Sequence, residues 1–234
     1  MYGWRARLGV LVPSGIVATE PEYGKMTPEG VSCHYHRIAF QGGGIENLKK
    51  VEEGLEDATR IMMHVHPAVM AMTGTGVSFA GGYGYDQKMI EKMKKINGNL
   101  PTTTTSSSAI DALHRLGVKK ISMAMPYIEE VALAAVKFVE ESGIRVLKKK
   151  WLSESPADIP PEKVYRLARE VDTAESEAIF LPCTGWHTIG VIEKLEGDLK
   201  KPVISSNQAT MWNLLRLANI NDKVQGYGQL LSHY

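Results

Sequence analysis

The sequence predicts an α/β protein built from two similar halves, each a parallel sheet between layers of helices with a flavodoxin-like arrangement. Three observations support this prediction. Short apolar strands alternate along the chain with segments of helical periodicity, which is typical of parallel sheets covered by helices. Motifs at the ends of three strands recur in the same order later in the chain. The 234 residues are enough for one large domain or two small ones.

The first half contains four predicted strands, over 7–12, 32–38, 68–72 and 102–104. Apolar residues spaced close to the helical period predict helices over 46–66 and 85–96, and a third helix follows the last strand. The second half contains strands over 118–125, 145–148, 178–181 and 203–205. Its helices are predicted over 128–142, 161–171, 189–196 and 209–217. The basic run 148–150 is interpreted as a solvated loop.

The internal repeat consists of three pairs of segments. RLGVLVPSG (7–15) aligns with KISMAMPYI (120–128), MTGTGVSF (72–79) with LPCTGWHT (181–188), and LPTTTTSSSAIDALHRLG (100–117) with KPVISSNQATMWNLLRLA (201–218). Three weak matches in one order indicate two halves related by a pseudo-twofold axis. We place the first half at 1–115, with the C-terminal segment 210–234 packed on it, and the second half at 116–209.

Each repeated motif lies at the carboxyl end of a predicted strand. Ligands of parallel sheets bind beyond these ends and at clefts between units. We therefore expect the strand-end motifs to converge on one cleft between the halves. These motifs are Pro13-Ser14, 74–76, Pro126-Tyr127, 183–185 and 205–207.

Cys183 is the candidate for acid–base chemistry in this cleft. Its counterpart in the repeat is Gly74, so only one side of the cleft carries a thiol. A single thiol suits a reaction that forms a carbanion by another route, such as decarboxylation, and then needs one proton. We expect the reacting carboxylate and the resulting enediolate to be bound by hydroxyl or backbone N–H groups of Ser14, Gly74, Thr75, Gly76, Tyr127 and Thr184.

The same residues also have structural interpretations. A lone cysteine after an apolar strand can be a small core residue, and Thr or Ser at a strand end can begin a helix. Tyr127 could be a core aromatic residue. His187 could tune the Cys183 thiol or cap a helix, and the sequence favours neither role.

Composition argues against several classes of function. A net charge of +1 gives no electrostatic reason to expect a nucleic acid or an anionic membrane as partner. No window approaches the roughly 18 apolar residues that span a bilayer, and the N-terminus does not resemble a signal peptide. We therefore expect a cytoplasmic protein. Its two cysteines, Cys33 and Cys183, should stay thiols, with Cys33 structural.

Metal binding is not predicted either. His34 and His36 flank a tyrosine, and His64 and His66 flank a valine. Neither pair has the ligand spacing of a zinc site. The alternation around the first pair fits a strand with side chains on both faces.

Taken together, these motifs resemble the aspartate/glutamate racemase superfamily, most closely its arylmalonate decarboxylase and maleate cis–trans isomerase branch. The resemblance covers nearly the whole chain and rests on VPSG, EPEY, PEGVS, GTGVSF, PTTTTSSSAIDALHRLG, MPYIEEV, YRLAREVD, CTGWHTI, PVISSNQATMW and GYG. Racemases and isomerases of the superfamily use two cysteines, which correspond to Gly74 and Cys183 here. Arylmalonate decarboxylases have glycine at the first position and one catalytic cysteine.

The resemblance also implies roles for individual residues. Cys183 would be the proton donor, and Thr75 and Tyr127 would bind the reacting carboxylate. A serine of the decarboxylases falls on Gly76, so only the backbone N–H can serve there. Two asparagines of the maleate isomerases fall at or near Ile16 and in the loop 151–162, which contains no asparagine. The chain thus lacks the first cysteine and both asparagines of the isomerases. Their absence argues against isomerisation by covalent addition and favours an apolar pocket around a departing carboxylate. Weak candidates for that pocket are Phe40, Ile45, Leu48, Trp151 and Ile159.

The sequence therefore predicts a cofactor-independent decarboxylase of an aryl- or alkyl-substituted malonate-type dicarboxylic acid. No metal, nucleic acid or membrane is expected as a partner, and the chain is compatible with a monomer or a homo-oligomer. The first alternative is a maleate isomerase or an amino-acid racemase in which another group, such as Thr73 or Ser78, replaces the missing cysteine. The second alternative is a carboxylate-binding protein without turnover.

Overall fold

Two four-stranded parallel sheets organise the computed structural model, which describes residues 1–40, 42 and 44–234. The first sheet contains β1 (Ala6–Pro13), β2 (Val31–Ile38), β3 (Val69–Met72) and β4 (Thr102–Thr104). The second contains β5 (Lys120–Met125), β6 (Arg145–Trp151), β7 (Ala178–Leu181) and β8 (Val203–Ser205). The strand orders are β2-β1-β3-β4 and β6-β5-β7-β8. The second sheet therefore repeats the first, in the 2-1-3-4 order of flavodoxin-like folds.

Helices connect the strands and cover the sheets. In the first half they are α1 (Thr19–Met26), α2 (Gly44–Lys50), α3 (Leu55–Met62), α4 (Thr75–Phe79), α5 (Tyr85–Asn97) and α6 (Thr105–Arg115). In the second they are α7 (Glu129–Glu141), α8 (Pro161–Val171) and α9 (Ile189–Leu199), and α10 (Ser206–Leu217) and α11 (Gln229–His233) follow the last strand. Short 3₁₀ turns cover Val51–Gly54, Met63–Val65 and Pro156–Asp158. The predicted α/β fold class is confirmed.

Burial explains why the central strands are continuous apolar runs. β3 and β7 are buried along their whole length, because helices cover both faces of a parallel sheet. The first sheet draws its strands from residues 6–104 and the second from 120–205. α10 packs against α6 and also contacts α1, β3 and β4. The exact unit boundaries at 115/116 and 209/210 stay a prediction.

The predicted continuous helix over 46–66 is wrong. The segment divides into α2, a 3₁₀ turn at Val51–Gly54, α3 and a second 3₁₀ turn. Gly54 lies at the first break, where an added Cβ would come within 2.8 Å of the Ile38 Cγ2 atom. The glycine lets the chain approach β2 closely, and the segment changes helix type there.

The interpretation of 148–150 as a solvated loop is also wrong. β6 continues to Trp151, and Lys149 and Lys150 pair with Met123 and Ala124 of β5. β6 is an edge strand, where lysine side chains stay in solvent and discourage further strand pairing. The sequence pattern missed the strand because these positions are charged although their backbone pairs.

α10 begins earlier than the sequence predicts. A capping box joins Ser205 and Gln208, so the helix starts at Ser206 rather than at 209. None of the helices in the described part of the chain is long and apolar enough to cross a membrane.

The packing of α10 in the core predicts the effect of truncating one of its buried leucines. Leu214 of α10 is fully buried, so Leu214→Ala should lower the free energy of unfolding by about 2–5 kcal/mol. The matched control is Leu133→Ala on α7, where the side chain is 46% exposed and the expected change is within about 0.5 kcal/mol. Urea unfolding measures the free energy of unfolding of both variants. Equal losses in the two variants would contradict this packing.

Candidate active site

A cavity of about 480 Å³ lies between the two sheets, at the carboxyl ends of their strands. Its lining comes from the segments that follow β1, β3, β5 and β7, together with those after β2 and β6. The repeat therefore places equivalent turns of the two halves around one space. Gly74, Thr75, Tyr127, Cys183 and Thr184 all line it.

The turns that carry Gly74 and Cys183 have related backbone conformations. The φ angles are +99° at Gly74 and +115° at Cys183. Glycine adopts this region freely, but an L-residue is strained there. A Cβ at Gly74 would also meet the Pro13 Cγ atom at 2.9 Å. The cavity thus has a thiol in one turn and no side chain in the equivalent turn of the other half.

Hydrogen bonds from both halves hold Cys183 in this conformation. Its backbone N–H donates to the hydroxyl oxygens of Thr75 at 3.3 Å and Ser206 at 3.1 Å. These two hydroxyls are themselves 2.7 Å apart. The Gly185 N–H donates to the Cys183 Sγ atom at 3.3 Å. The thiol is therefore fixed at the boundary between the halves.

Burial sets the protonation state of Cys183. The residue is only 6% exposed, and burial raises the pKa of its thiol to about 11. The nearby Gly185 N–H, Tyr127 hydroxyl and Trp186 N–H lower the pKa but do not outweigh burial. At neutral pH the sulfur therefore carries its proton and can act as a proton donor.

Two hydroxyl groups at the cavity lack partners. Tyr127 OH and Thr184 Oγ1 are buried and make no well-formed hydrogen bond within the described parts of the chain. Burial, with the Cys183 thiol beside it, raises the pKa of Tyr127 well above its ordinary value, so the phenol remains a donor. Buried polar groups are normally paired. Both hydroxyls therefore retain donor capacity in residues that line the cavity.

Thr75 offers a backbone N–H group to the site in addition to its hydroxyl. Thr75 and Gly76 are the first residues of α4, and the first N–H groups of a helix have no partner within the helix. These N–H groups, unlike the hydroxyl held by Ser206, are free of the network around Cys183. Gly76 has no Cβ, and Leu48 fills the space that one would occupy, at 3.1 Å.

The charge of the lining is unusual for an anion site. Of the described residues that line the cavity, none is Lys, Arg or His. Glu154 lines it and pairs with Lys163 at 2.6 Å. A carboxylate in this cavity would therefore be held by neutral donors. No cluster of His, Cys, Asp and Glu side chains that could hold a metal ion occurs in the described residues.

The pocket candidates divide into two groups. Phe40 and Leu48 line the cavity. Ile45, Trp151 and Ile159 do not line it and pack against the core instead. Ile159 is buried, and Trp151 ends the edge strand β6. Sequence alignment in these loops could not distinguish cavity walls from core contacts, since both need apolar side chains.

Ser14 lies beside the cavity but does not line it. Its Oγ atom accepts the Phe40 N–H at 2.9 Å and donates to the Phe40 carbonyl at 3.2 Å. Ser14 therefore positions Phe40, and the expectation that it binds a carboxylate directly does not match this placement. Gly15 and Ile16, the next residues along, line the cavity instead.

The residues considered as substitutes or modulators are engaged elsewhere. Thr73 Oγ1 donates to the Leu11 carbonyl, and Ser78 Oγ donates to Ser106. Neither lines the cavity. The His187 ring lies 3.3 Å from the carbonyl oxygen of Ala157, so it holds the loop after β6.

Ser206 belongs to a motif that the sequence predicts to lie at the cleft, but the sequence predicts no role for it. Its hydroxyl joins Thr75 to the backbone of Cys183. The repeat aligns Ser206 with Thr105, and this alignment was the signal that could have suggested a cross-half contact.

Comparison with known proteins places these features in context. Residues 8–231 match the family model for arylmalonate decarboxylase. The arylmalonate decarboxylase of Bordetella bronchiseptica is 28% identical, with 95% of each chain covered. The maleate isomerase of Geobacillus stearothermophilus is 24% identical, with 97% of each chain covered. A crystal structure of a maleate isomerase from Pseudomonas putida S16 with maleate has a TM-score of 0.93 at 23% identity and covers 97% of each chain. That likeness shows the fold.

The raised pKa of Cys183 predicts slow alkylation near neutral pH. With a pKa of about 11, about one thousandth of the thiol is ionised at pH 8. In a Cys33→Ser background, the rate of iodoacetamide modification of Cys183 should rise about tenfold per pH unit up to pH 10. Mass spectrometry of the labelled peptide measures this rate. A rate that levels off above about pH 9.5, as for a thiol with the ordinary pKa of about 8.5, would contradict the assignment.

Proposed function

This chain belongs to the arylmalonate decarboxylase family, and we propose that it is itself a decarboxylase of substituted malonate-type dicarboxylic acids. The observation that carries the proposal is a single protonated thiol, Cys183, beside the unpaired hydroxyls of Tyr127 and Thr184. The equivalent turn of the other half offers only Gly74. A reaction that needs one proton and several oxyanion donors fits this arrangement.

Substrate binding uses the neutral donors. One carboxylate accepts hydrogen bonds from Tyr127 OH, Thr184 Oγ1 and the N–H groups of Thr75 and Gly76. The bond from the α-carbon to the other carboxylate breaks, CO₂ leaves, and the electron pair enters an enediolate. Donors aimed at the developing negative charge stabilise the transition state more than the ground state.

Cys183 then completes the reaction. Its S–H proton passes to the α-carbon on the face nearest the sulfur, and the thiolate takes a proton from solvent. Because one thiol delivers the proton from one side, the product acid forms as a single enantiomer. The sequence of steps requires no redox change and no cofactor.

The rest of the cavity suits the departing carboxylate and a neutral substituent. Leu48, Val77 and Val131 are among its apolar lining residues, and no described lining side chain is cationic. A carboxylate placed there lacks a charged partner, which raises its energy before CO₂ leaves.

Isomerisation and binding without turnover are less well supported. A maleate isomerase would need a nucleophile opposite Cys183, and the hydroxyls of Thr73 and Ser78 are both engaged away from the cavity. Ile16 lies in the lining, where the isomerases are expected to carry an amide. A binding protein would need the oxyanion donors, but not a proton donor beside them.

Removal of the proton donor tests the proposal. Cys183→Ala should lower decarboxylation of methyl-phenylmalonate by about 10²- to 10⁴-fold, the usual contribution of a general acid. Cys33→Ala removes the other thiol, which lies on β2, and should retain turnover. Product acid is quantified by chiral chromatography. Full activity in Cys183→Ala would exclude the proposed role of the thiol.

Removal of the unpaired phenol tests the oxyanion site. Tyr127→Phe should lower kcat by about 10²- to 10³-fold, since one oxyanion donor is lost, without lowering the melting temperature. The matched control is Tyr23→Phe, because the Tyr23 hydroxyl is also buried without a well-formed hydrogen bond but lies outside the cavity. Steady-state kinetics and thermal unfolding measure both variants. Equal kcat in Tyr127→Phe and wild type would remove Tyr127 from the mechanism.

A further inference from the structure

Glu22 is a buried carboxylate that does not line the cavity. It lies on α1, in the first half, and is 6% exposed. All its side-chain hydrogen bonds run to residues of the second half and of α10. Oε1 accepts the N–H groups of Thr188 at 2.8 Å and Ile189 at 3.2 Å, and Oε2 accepts the Asn207 side-chain amide at 2.6 Å.

Asn207 extends this contact to the backbone beside the thiol. Its Nδ2 atom also donates to the Thr184 carbonyl at 3.2 Å. The Thr19 hydroxyl, on the same helix as Glu22, lies 3.3 Å from the Thr184 carbonyl oxygen and 3.3 Å from Asn207 Oδ1. Two side chains thus hold the oxygen of the peptide unit that joins Thr184 to Gly185.

The same peptide unit donates to the sulfur. The Gly185 N–H is 3.3 Å from Cys183 Sγ. A peptide is planar and trans, so its C=O and N–H point in opposite directions. Fixing the Thr184 oxygen therefore fixes the direction of the Gly185 N–H and, with it, the place of the thiol.

We infer that Glu22 is a positioning residue, which orients the peptide 184–185 through Asn207 and so holds Cys183 Sγ at the reacting carbon. The catalytic consequence rests on the proposed function, in which Cys183 donates the proton. Glu22 itself touches neither the cavity nor the thiol.

The chemistry of Glu22 argues against a purely structural cap. The backbone N–H groups at the start of α9 (Ile189–Leu199) donate to Oε1, whereas Oε2 accepts the Asn207 amide at 2.6 Å and, at the longer distance of 3.5 Å, the Thr188 hydroxyl. Burial raises the pKa of Glu22, whereas its hydrogen bonds and the nearby His187 ring lower it. None of the Lys or Arg side chains among the described residues forms an ion pair with it. An ionised group in such a place is costly unless its hydrogen bonds are specific. A neutral side chain could cap the helix at lower cost.

Glu22→Gln separates these two roles. The variant keeps one oxygen for the Thr188 and Ile189 N–H groups, but places an NH₂ group against that of Asn207. Asn207 must then rotate, and the Thr184 carbonyl loses a donor. We expect kcat to fall by about 10- to 100-fold with KM within about twofold. The enantiomeric excess of the product should also fall, because solvent competes with a displaced thiol.

The matched control is Glu20→Gln, on the same helix. Glu20 pairs with Arg37 at 2.9 Å at the surface, so kinetics and enantiomeric excess should match wild type. A second variant, Thr19→Val, removes the other donor to the Thr184 carbonyl without altering Glu22. Thr19→Val should lower kcat and the enantiomeric excess by a smaller factor than Glu22→Gln does. It also tests the inference if Glu22→Gln does not fold.

Amide hydrogen exchange provides a readout that does not depend on turnover. Exchange at Gly185 should be faster by about tenfold or more in Glu22→Gln and unchanged in Glu20→Gln. Unchanged Gly185 exchange, or lower kcat with unchanged enantiomeric excess, would overturn the positioning role. If wild type fails to decarboxylate any malonate, the proposed function fails, while Gly185 exchange still decides whether Glu22 orients the peptide.

Discussion

The Cys183 backbone has a φ of +115°, and an L-residue held in such a region costs of order 1–3 kcal/mol. The neighbouring contacts offset this strain: Thr75 and Ser206 accept the Cys183 N–H, and the Gly185 N–H donates to its sulfur. Thr75 comes from one half of the fold and Ser206 begins α10. The position of the thiol therefore depends on both halves being docked, and so does the cavity that it faces.

The two halves repeat their strand order but differ in chemistry at equivalent turns. Gly74 and Cys183 share the positive φ, yet only one carries a side chain. Neutral hydroxyl and N–H donors surround the thiol, and burial keeps it protonated. Two halves of similar fold thus form a site with a single proton donor, which can deliver its proton to only one face of the substrate. This asymmetry favours decarboxylation over chemistry that needs two opposed groups.

Much of the fold and part of the site could be predicted from the sequence, because repeats and strand ends are local patterns. The alignment of 72–79 with 181–188 alone predicts that Gly74 and Cys183 lie in equivalent turns. Features that depend on distant packing were not accessible. Gly54 interrupts a regular helical pattern because of Ile38, and Lys149 and Lys150 pair as strand despite their charge. Likewise, nothing near Glu22 in sequence indicates its bond to Asn207, 185 positions away.

The central claim is that one thiol delivers one proton from one side. The most direct test is proton NMR in D₂O with the wild-type protein, in parallel with methyl-phenylmalonate and with maleate. We expect loss of CO₂ from the malonate, one deuterium at the α-carbon, unchanged maleate, and a single product enantiomer when the product acid is separated by chiral chromatography. Conversion of maleate to fumarate would contradict the central claim, because this reaction requires a second reactive group opposite Cys183. A racemic product would also contradict it, because the proton would then reach the enediolate from both faces.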